Sequence, residues 1–215
     1  MTSEDLRVYV YLFAGIILFV EGFEVVFCKE CRNSLASLQK LKDSVQGILK
    51  DKVWNAKRSH ERIKIGISAC PNACSAPQIK DFGAIAFIKP RVNEDACNSC
   101  KACLKACKEG AIEFSELPRF NENCVGCGDC VRACKRRAIE GEVLFRVMAG
   151  GKLGRHPKFA EVVAIVRSEE SVAKILEKVL EISYERGVRF SYVRDGIKML
   201  KEEISTLSEC NGLNR

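Results

Sequence analysis

Two copies of one cysteine pattern dominate the sequence: CNSCKACLKACKEGAI at residues 97–112 and CVGCGDCVRACKRRAI at residues 124–139. The copies begin 27 residues apart, and each spaces its cysteines as Cys-x2-Cys-x2-Cys-x3-Cys. Three closely spaced thiolates can bind three iron corners of a [4Fe–4S] cubane from a single loop. The repeat therefore predicts a compact unit that holds two iron–sulfur clusters.

This spacing resembles that of bacterial two-cluster ferredoxins. The resemblance implies that the fourth cysteine of each copy begins a helix, points away and binds the other cluster. The first cluster is then assigned to Cys97, Cys100, Cys103 and Cys134, and the second to Cys124, Cys127, Cys130 and Cys107. Ferredoxins usually have proline after the fourth cysteine, where this chain has Lys108 and Lys135. Zinc is disfavoured here because zinc sites pair two Cys-x2-Cys knuckles rather than runs of four.

The other cysteines are also grouped. Of 13 cysteines, only Cys210 stands alone. Tight grouping in a chain that does not begin with a basic signal peptide is typical of metal ligation in a reducing compartment. We therefore expect a cytoplasmic protein.

The chain has a net charge of +7, with 47% hydrophobic and 29% charged residues. A solvated basic surface would explain the excess of cations. Alternatively, the cations balance the negative charge of iron–sulfur clusters and other anionic cofactors. The basic residues are dispersed and no basic stripe is interleaved with aromatic residues, so we expect no nucleic-acid partner.

An uncharged apolar run, VYVYLFAGIILFV, covers residues 8–20. Its 13 residues are fewer than the roughly 20 that a spanning helix needs. We interpret the run as a buried helix or strand. The alternative is a membrane or interface anchor, although we do not expect a membrane partner.

Hydrophobic periodicity predicts helices and strands on both sides of the repeat. We expect a helix directly after Cys31 and another that Ser168 caps and Gly187 ends. Strands are expected at residues 23–27, 63–67, 84–88, 143–147 and 159–166, a last helix at 195–207, and a frayed tail at 210–215. Pro90 and Gly141 suggest three segments: 1–90, 91–141 for an inserted ferredoxin domain, and 142–215.

A third cysteine set consists of Cys28, Cys31, Cys70 and Cys74. Taken alone, this spacing fits either zinc or a third iron–sulfur cluster. Its context is more informative: ISACPNAC at residues 67–74 is followed by QIKDFG at 78–83, CRNSLA lies upstream at 31–36, and GGKLGR lies downstream at 150–155. Counting ISACPNAC and QIKDFG as one, these three motifs in their chain order resemble the siroheme–[4Fe–4S] signature of sulfite and nitrite reductases, including dissimilatory members with a ferredoxin insertion. The resemblance covers roughly residues 22–205.

The resemblance implies an α+β fold: half of a sulfite-reductase-type siroheme domain, with a mixed sheet and helices, and an inserted bacterial-ferredoxin-like (βαβ repeat) domain. A third [4Fe–4S] cubane would be held by the four cysteines of the third set, with Cys74 also bridging to the siroheme iron. Asn72, Gly150 and Gly151 would approach the tetrapyrrole, and Lys152 and Arg155 would pair with its carboxylates. The alternative for residues 150–155 is an ordinary tight turn with exposed cations.

The sequence departs from that family in two ways. The family spaces its first cysteine pair as Cys-x5-Cys, which would place a cysteine at Val25, whereas this chain has Cys28. The chain also has room for one of the family's two repeats, so we expect a homodimer or a partner subunit. We assign no catalytic residue: Lys57, Arg58, Arg62 and Lys64 are candidate cations without an assigned anion pocket, and His60 and His156 are expected at the surface.

The resemblance implies a reductase, or a reductase subunit, that acts on a small inorganic anion, sulfite or nitrite. An external low-potential donor would supply electrons through the ferredoxin clusters to the siroheme-coupled cluster. One rival is an electron-transfer protein on a reductase-derived scaffold without turnover of its own. Another is a protein that binds a siroheme-like tetrapyrrole.

Overall fold

The structure is a computed structural model that describes residues 8–12, 15–20 and 22–205, with side chains described from residue 22 onward. Its strands are β1 (Val8–Leu12), β2 (Gly15–Val20), β3 (Phe23–Cys28), β4 (Ile63–Ser68), β5 (Phe82–Val92), β6 (Ile112–Phe114), β7 (Pro118–Phe120), β8 (Ile139–Ala149) and β9 (Glu161–Val166). Its helices are α1 (Gln39–Leu49), α2 (Ala102–Ala106), α3 (Asp129–Ala133), α4 (Glu169–Arg186) and α5 (Gly196–Ile204).

Seven strands form one mixed sheet in the order β1-β2-β3-β4-β5-β8-β9. The central strands β3, β4 and β5 are parallel, and every other neighbouring pair is antiparallel. Because β3, β4 and β5 run in the same direction, their carboxyl ends lie at one edge of the sheet. The mixed α+β architecture agrees with the predicted fold class.

One face of the sheet carries the main core. Alternate residues of β3 and β4 face the same side and pair in register, as in Val25 with Ile65 and Phe27 with Ile67. Helices α1 and α4 pack against each other, and α4 also contacts β5 and β8. The core therefore lies between the sheet and these helices, as the alternation in residues 63–67 predicts.

The opposite face of the sheet is covered by the chain that joins β4 to β5. Gly66 and Gly83 are paired across β4 and β5. A Cβ on Gly66 would lie 2.9 Å from the Ser75 carbonyl oxygen, and one on Gly83 would lie 2.5 Å from the Pro77 carbonyl oxygen. The absence of these side chains lets residues 75–80 lie directly on the sheet.

Helix α4 agrees closely with its prediction. The Ser168 hydroxyl oxygen accepts a hydrogen bond from the Ser171 N–H at 3.1 Å, and Gly187 ends the helix at φ +64°. The prediction for α1 is wrong at its start, since the helix begins at Gln39 rather than directly after Cys31. Residues 31–38 instead form a loop, which the Leu35 N–H fixes by donating to the Ala69 carbonyl at 2.9 Å.

Other predicted elements differ in extent. The predicted pieces at 84–88 and 143–147 belong to longer strands, β5 and β8, which pair along their full length. Strand β9 begins at Glu161, and Phe159, which was expected in the strand, precedes it with a side chain that is 75% exposed. The last helix covers Gly196–Ile204, and the expected frayed tail at 210–215 lies outside the described residues.

The apolar run at residues 8–20 forms two antiparallel strands, β1 and β2, rather than one element. Whether its side chains are buried lies outside what the structure describes. Within the described ranges, no helix combines the length and the apolar character needed to cross a membrane.

Residues 93–138 connect β5 to β8 and contain α2, the antiparallel hairpin β6–β7 and α3. Pro90 and Gly141, the predicted segment edges, lie opposite each other in the β5–β8 ladder. The Ile88 N–H donates to the Gly126 carbonyl at 2.9 Å, which fixes this segment against β5. We call residues 93–138 the cysteine-rich segment.

Candidate iron–sulfur centres

The first candidate centre lies at the carboxyl ends of β3 and β4. Cys28 is the last residue of β3, and Cys70 follows β4 by two residues. The two strands are parallel, so their ends are adjacent, and the Ala69 N–H donates to the Cys28 Sγ at 3.1 Å. Backbone N–H donors to sulfur favour the charged thiolate and tune a bound cluster.

Cys74 lies in a tight turn that follows Cys70. Ala73 and Ala76 adopt left-handed backbone conformations at φ +52° and φ +49°, which is uncommon for residues other than glycine. The Ser75 N–H donates to the Ser68 hydroxyl oxygen at 3.2 Å, and the two hydroxyl oxygens are 2.7 Å apart. Buried Ser75 thus fixes the turn to β4, while Cys74 is exposed. Such concentrated backbone strain is typical of functional turns.

Cys31 reaches the same edge through the loop before α1. Its N–H donates to the Ser34 hydroxyl oxygen at 2.9 Å, and the Ser34 N–H donates to the Cys31 carbonyl at 2.9 Å. The hydrogen bond from Leu35 to Ala69 then holds this turn beside the residue that precedes Cys70. Helix α1 starts late because this loop has to reach the strand ends.

Electrostatics link the four cysteines of this group, which we call the strand-end cysteines. Burial is the main cause that raises the pKa of Cys28, and the neighbouring Cys70 and Cys74 raise it further. Burial likewise raises the pKa of Cys70, with added contributions from Cys74 and Cys31. Ionising such a group as thiolates requires a positive partner, which an iron cluster supplies.

The structure also accounts for the shift from Val25 to Cys28. Val25 is fully buried in the core face and pairs with Ile65. A sulfur at position 25 would therefore lie inside the core, whereas Cys28 lies at the strand end beside Cys70. A donor atom at position 28 is compatible with a cluster at the sheet edge.

In the cysteine-rich segment, each copy of the repeat forms one short helix around its third cysteine. Helix α2 contains Cys103 and follows Lys101 at φ +59°, and α3 contains Cys130 and follows Gly128 at φ +74°. The expectation that the fourth cysteine begins a helix is wrong, since Cys107 and Cys134 end these helices. The Sγ atoms of these two cysteines accept hydrogen bonds from the N–H groups of Ala111 and Ala138, at 3.3 Å and 3.2 Å.

One cavity in this segment brings together cysteines from both copies of the repeat. Its lining includes Cys107, Cys124, Cys127 and Cys130, the residues assigned to the second cluster. Burial, followed by the proximity of Cys124, raises the pKa of Cys130 to about 11. For the first assigned group, burial raises the pKa of Cys103, with smaller contributions from Cys100 and Cys97.

The described cysteines form no disulfides. Across residues 22–205, no three His, Cys, Asp or Glu side chains converge closely enough to hold a single metal ion.

The Gly150-Gly151 turn packs against the chain that precedes β5. The Gly150 N–H donates to the Asp81 carbonyl at 2.9 Å, and a Cβ on Gly151 would lie 2.6 Å from the Gln78 carbonyl oxygen. Both glycines are buried, so they allow two segments of this chain to approach each other. The next residue, Lys152, places its Nζ 4.2 Å from the centre of the Tyr192 ring. Arg155 and Asn72 are exposed.

A buried ion pair that the sequence analysis missed holds this region. Asp81 is fully buried and lies 2.8 Å from Arg189, which also donates to the His60 carbonyl at 2.6 Å. The Asp81 carboxylate further accepts hydrogen bonds from the N–H groups of Lys64 and Ser191, at 2.8 Å and 3.0 Å. Asp81 belongs to the quoted QIKDFG motif, but nothing in the sequence indicates a partner more than 100 residues away.

A second charged group lies on the sheet face opposite the core. Glu24 contacts Lys80 at 2.8 Å and Lys64 at 3.4 Å. Burial alone would raise the pKa of Glu24, but its hydrogen bonds and charge interactions with the two lysines hold that pKa below its usual value. Lys64, one of the four candidate cations, is thus paired with a carboxylate.

The remaining candidate cations lie before β4. The Glu61 carboxylate accepts hydrogen bonds from the backbone N–H groups of Lys57 and Arg58, at 2.7 Å and 3.1 Å. Arg62 is half-buried. The His60 side chain is 68% exposed, and His156 is also exposed, as predicted.

The fold resembles that of a solved enzyme. The crystal structure of dissimilatory sulfite reductase I matches 89% of this chain and 55% of that chain, with a TM-score of 0.56 and 16% sequence identity. At this identity the match supports the fold alone.

Curated sequences add functional context. Over 128 residues the chain is 44% identical to coenzyme F420-dependent sulfite reductase from Methanocaldococcus jannaschii, a match that covers 56% of this chain and 20% of that protein. It is 40% identical over 50 residues to one of the subunits of anaerobic sulfite reductase from Salmonella typhimurium, a match that covers 23% of this chain and 15% of that protein. The chain thus spans only a minor part of both of these relatives.

The fold combines a mixed β-sheet with helices, and cysteines are grouped at the strand ends. These features are typical of an iron–sulfur domain of the oxidoreductase type. The chain belongs to the family described as the nitrite and sulphite reductase 4Fe-4S domain, whose model matches residues 30–203. The match begins two residues after Cys28, so Cys28 itself lies just outside the matched residues.

Proposed function

We propose that this chain is a siroheme- and iron–sulfur-dependent reductase of sulfite or nitrite, or a subunit of one. The observation that carries the proposal is the grouping of the strand-end cysteines at one sheet edge, with buried Cys28 and Cys70 beside exposed Cys74. Both sulfite reductase relatives support the reaction class.

The donor set fits three [4Fe–4S] clusters. The strand-end cysteines would hold one, and the cysteine-rich segment, as an inserted ferredoxin domain, would hold two. The proposed ligands of the second cluster line one cavity, and N–H groups that point at sulfur support thiolate ligands in both regions. Twelve thiolates in three groups would suit the delivery of electrons one at a time from an external low-potential donor.

Siroheme would supply the iron centre that binds and reduces the anion. Cys74 and Cys31 are the exposed strand-end cysteines, and the family resemblance assigns the bridging role to Cys74, whose turn is fixed by Ser75. Asn72 lies in the same exposed turn. Gly150 and Gly151 would shape the neighbouring surface, and Lys152 and Arg155 would pair with carboxylates of the tetrapyrrole.

The chain has one repeat of a family whose catalytic unit is a pair. We therefore propose that the anion pocket is completed by a second copy of the chain or by a partner subunit. The pairing of Lys64 with Glu24 supports this, because it leaves that lysine less available to bind an anion. A cytoplasmic location follows from the need for a reducing compartment.

The experiment is anaerobic purification with iron and siroheme quantitation, followed by a methyl viologen assay with sulfite and nitrite side by side. We expect about twelve irons per chain and the red-region absorbance bands of siroheme. Bound zinc, or far less iron, would overturn the proposal. A broad brown absorbance without siroheme bands would favour the electron-transfer protein, and siroheme bands without turnover would favour the tetrapyrrole-binding protein.

Two variants test the bridging ligand. Cys74→Ser should abolish the electronic coupling between siroheme and the adjacent cluster, which EPR of the resting protein detects. Cys210→Ser is the matched control, because Cys210 lies outside all three cysteine groups and its loss should change neither the iron content nor the spectrum. An unchanged spectrum in Cys74→Ser would remove Cys74 from the bridging position.

A further inference from the structure

A cleft separates the strand-end cysteines from the cysteine-rich segment. Cys70 and Asn72 line it from the sheet side, and Cys127 and Arg132 line it from the other. Cys70 belongs to the proposed siroheme-coupled centre, whereas Cys127 belongs to the proposed second ferredoxin cluster. The cleft is therefore where these two centres face each other.

Arg132 is held in this cleft by two hydrogen bonds. Its guanidinium donates to the Cys127 carbonyl at 3.0 Å and to the Asp129 carboxylate at 2.6 Å. Both acceptors lie in the turn and helix that carry the cluster cysteines. These bonds hold the guanidinium beside the cleft, where the side chain remains 41% exposed.

The charge of Arg132 acts on both sides of the cleft. Arg132 lines the cleft together with Cys70 of one proposed centre and Cys127 of the other. Two further charged residues, Lys108 and Glu109, also line the cleft, and Asp129 partly offsets Arg132. Arg132 therefore shares one cleft with a cysteine of each proposed centre.

We propose that Arg132 is a positioning residue that jointly sets the reduction potentials of the two centres that face each other across the cleft. The inference rests on the proposed cluster assignment. A cubane gains one negative charge when it is reduced, so a fixed cation stabilises the reduced form of both centres. If clusters occupy both sites, an electron passed from the Cys127 side to the Cys70 side would oxidise the first centre and reduce the second. No bond forms or breaks.

The two copies of the repeat differ at this position. Lys105 occupies the position in the first copy that Arg132 occupies in the second. It is exposed and does not line the cleft. At this repeat position, the cation of the second copy lines the cleft and the cation of the first copy does not.

The test is a redox titration of the anaerobic holoprotein followed by EPR, with iron content measured for every variant. Arg132→Gln should lower the midpoint potentials of two of the three clusters, so that at a fixed potential their ratio of reduced to oxidised cluster falls about fivefold, after allowance for solvent screening. Asp129→Asn should shift the same two potentials upward. Arg132→Lys should largely restore the wild-type values.

Opposite shifts separate an electrostatic role from a structural one, because both variants break the same ion pair. If Arg132→Gln and Asp129→Asn shift the potentials in the same direction, or shift none, the inference is wrong. Lys105→Gln is the matched control and should leave the strand-end centre unchanged. A wild-type protein without three clusters would instead refute the proposed function, which the iron measurement detects separately.

Discussion

The sheet with its helices and the cysteine-rich segment are stabilised in different ways. The first has a continuous apolar core, in which residues such as Val25, Ile65 and Leu176 are fully buried. The second has a small core in which Cys103, Ile112 and Cys130 are buried together with Ile139, the first residue of β8. A region with so little apolar burial depends on cross-links or metal for its stability. The same chain thus combines a region that burial can fold with one that requires its ligands.

The largest expected effect is on removal of iron. Anaerobic chelation should abolish amide hydrogen-exchange protection in residues 93–138, because the metal–thiolate bonds that would cross-link this segment are lost. Protection in β4, β5 and α4 should persist. Hydrogen exchange with mass spectrometry measures both regions in one sample. Retained protection in the iron-free segment would show that the segment does not depend on metal for its stability.

The next largest effect is expected from Arg189→Met, which leaves the Asp81 carboxylate buried without its cation. Breaking such a pair costs about 3–5 kcal/mol of unfolding free energy. Chemical denaturation under anaerobic conditions should show the loss in the sheet with its helices, while the iron content stays near wild type. The matched variant Arg189→Met with Asp81→Asn should recover part of the stability. A loss below about 1 kcal/mol would show that the pair is dispensable.

Two glycine substitutions should change the free energy of unfolding by smaller amounts, one lowering it and the other raising it. Gly83→Ala would place a Cβ 2.5 Å from the Pro77 carbonyl oxygen, so we expect a loss of about 1–3 kcal/mol. Gly47→Ala lies in α1 with nothing within 4 Å of the new Cβ, so it should gain about 0.5–1 kcal/mol. Denaturation midpoints measure both, and equal effects would show that the loop does not pack closely on the sheet.

The smallest effect concerns Glu24 and pH. The pKa of Glu24 in the folded protein lies below its ordinary value of 4.5, so the ionised carboxylate stabilises the folded state at neutral pH. This contribution is lost as the pH falls from about 4.5 through the lower, folded pKa. Glu24→Gln should cost about 1 kcal/mol at pH 7, and the difference from wild type should shrink below pH 4.5. A difference that is constant with pH would exclude the charge as its cause.

Local signals in the sequence predicted several elements well. The alternation of isoleucines predicted β4, and Ser168 with Gly187 predicted both ends of α4. These features depend on neighbouring residues alone, so the sequence contains the information needed. The grouping of the cysteines was predictable for the same reason, because ligand spacing is local.

The errors arose where distant segments meet. Helix α1 starts late because residues 31–38 form a loop held against Ala69, although Leu35 and Leu38 fit a helical period. The pairing of Asp81 with Arg189 joins residues that are far apart in the sequence, so no local pattern reveals it. The fourth cysteines end helices rather than begin them, since the left-handed Lys101 and Gly128 start each helix before the third cysteine.

The β5–β8 ladder has a consequence for how this chain was assembled. Its last pair joins Val92 to Ile139, so the two ends of the cysteine-rich segment are cross-strand neighbours. Replacing residues 93–138 with a two-residue turn would close an ordinary β-hairpin without disturbing the sheet. The ladder therefore allows residues 93–138 to be inserted or removed without interrupting the sheet.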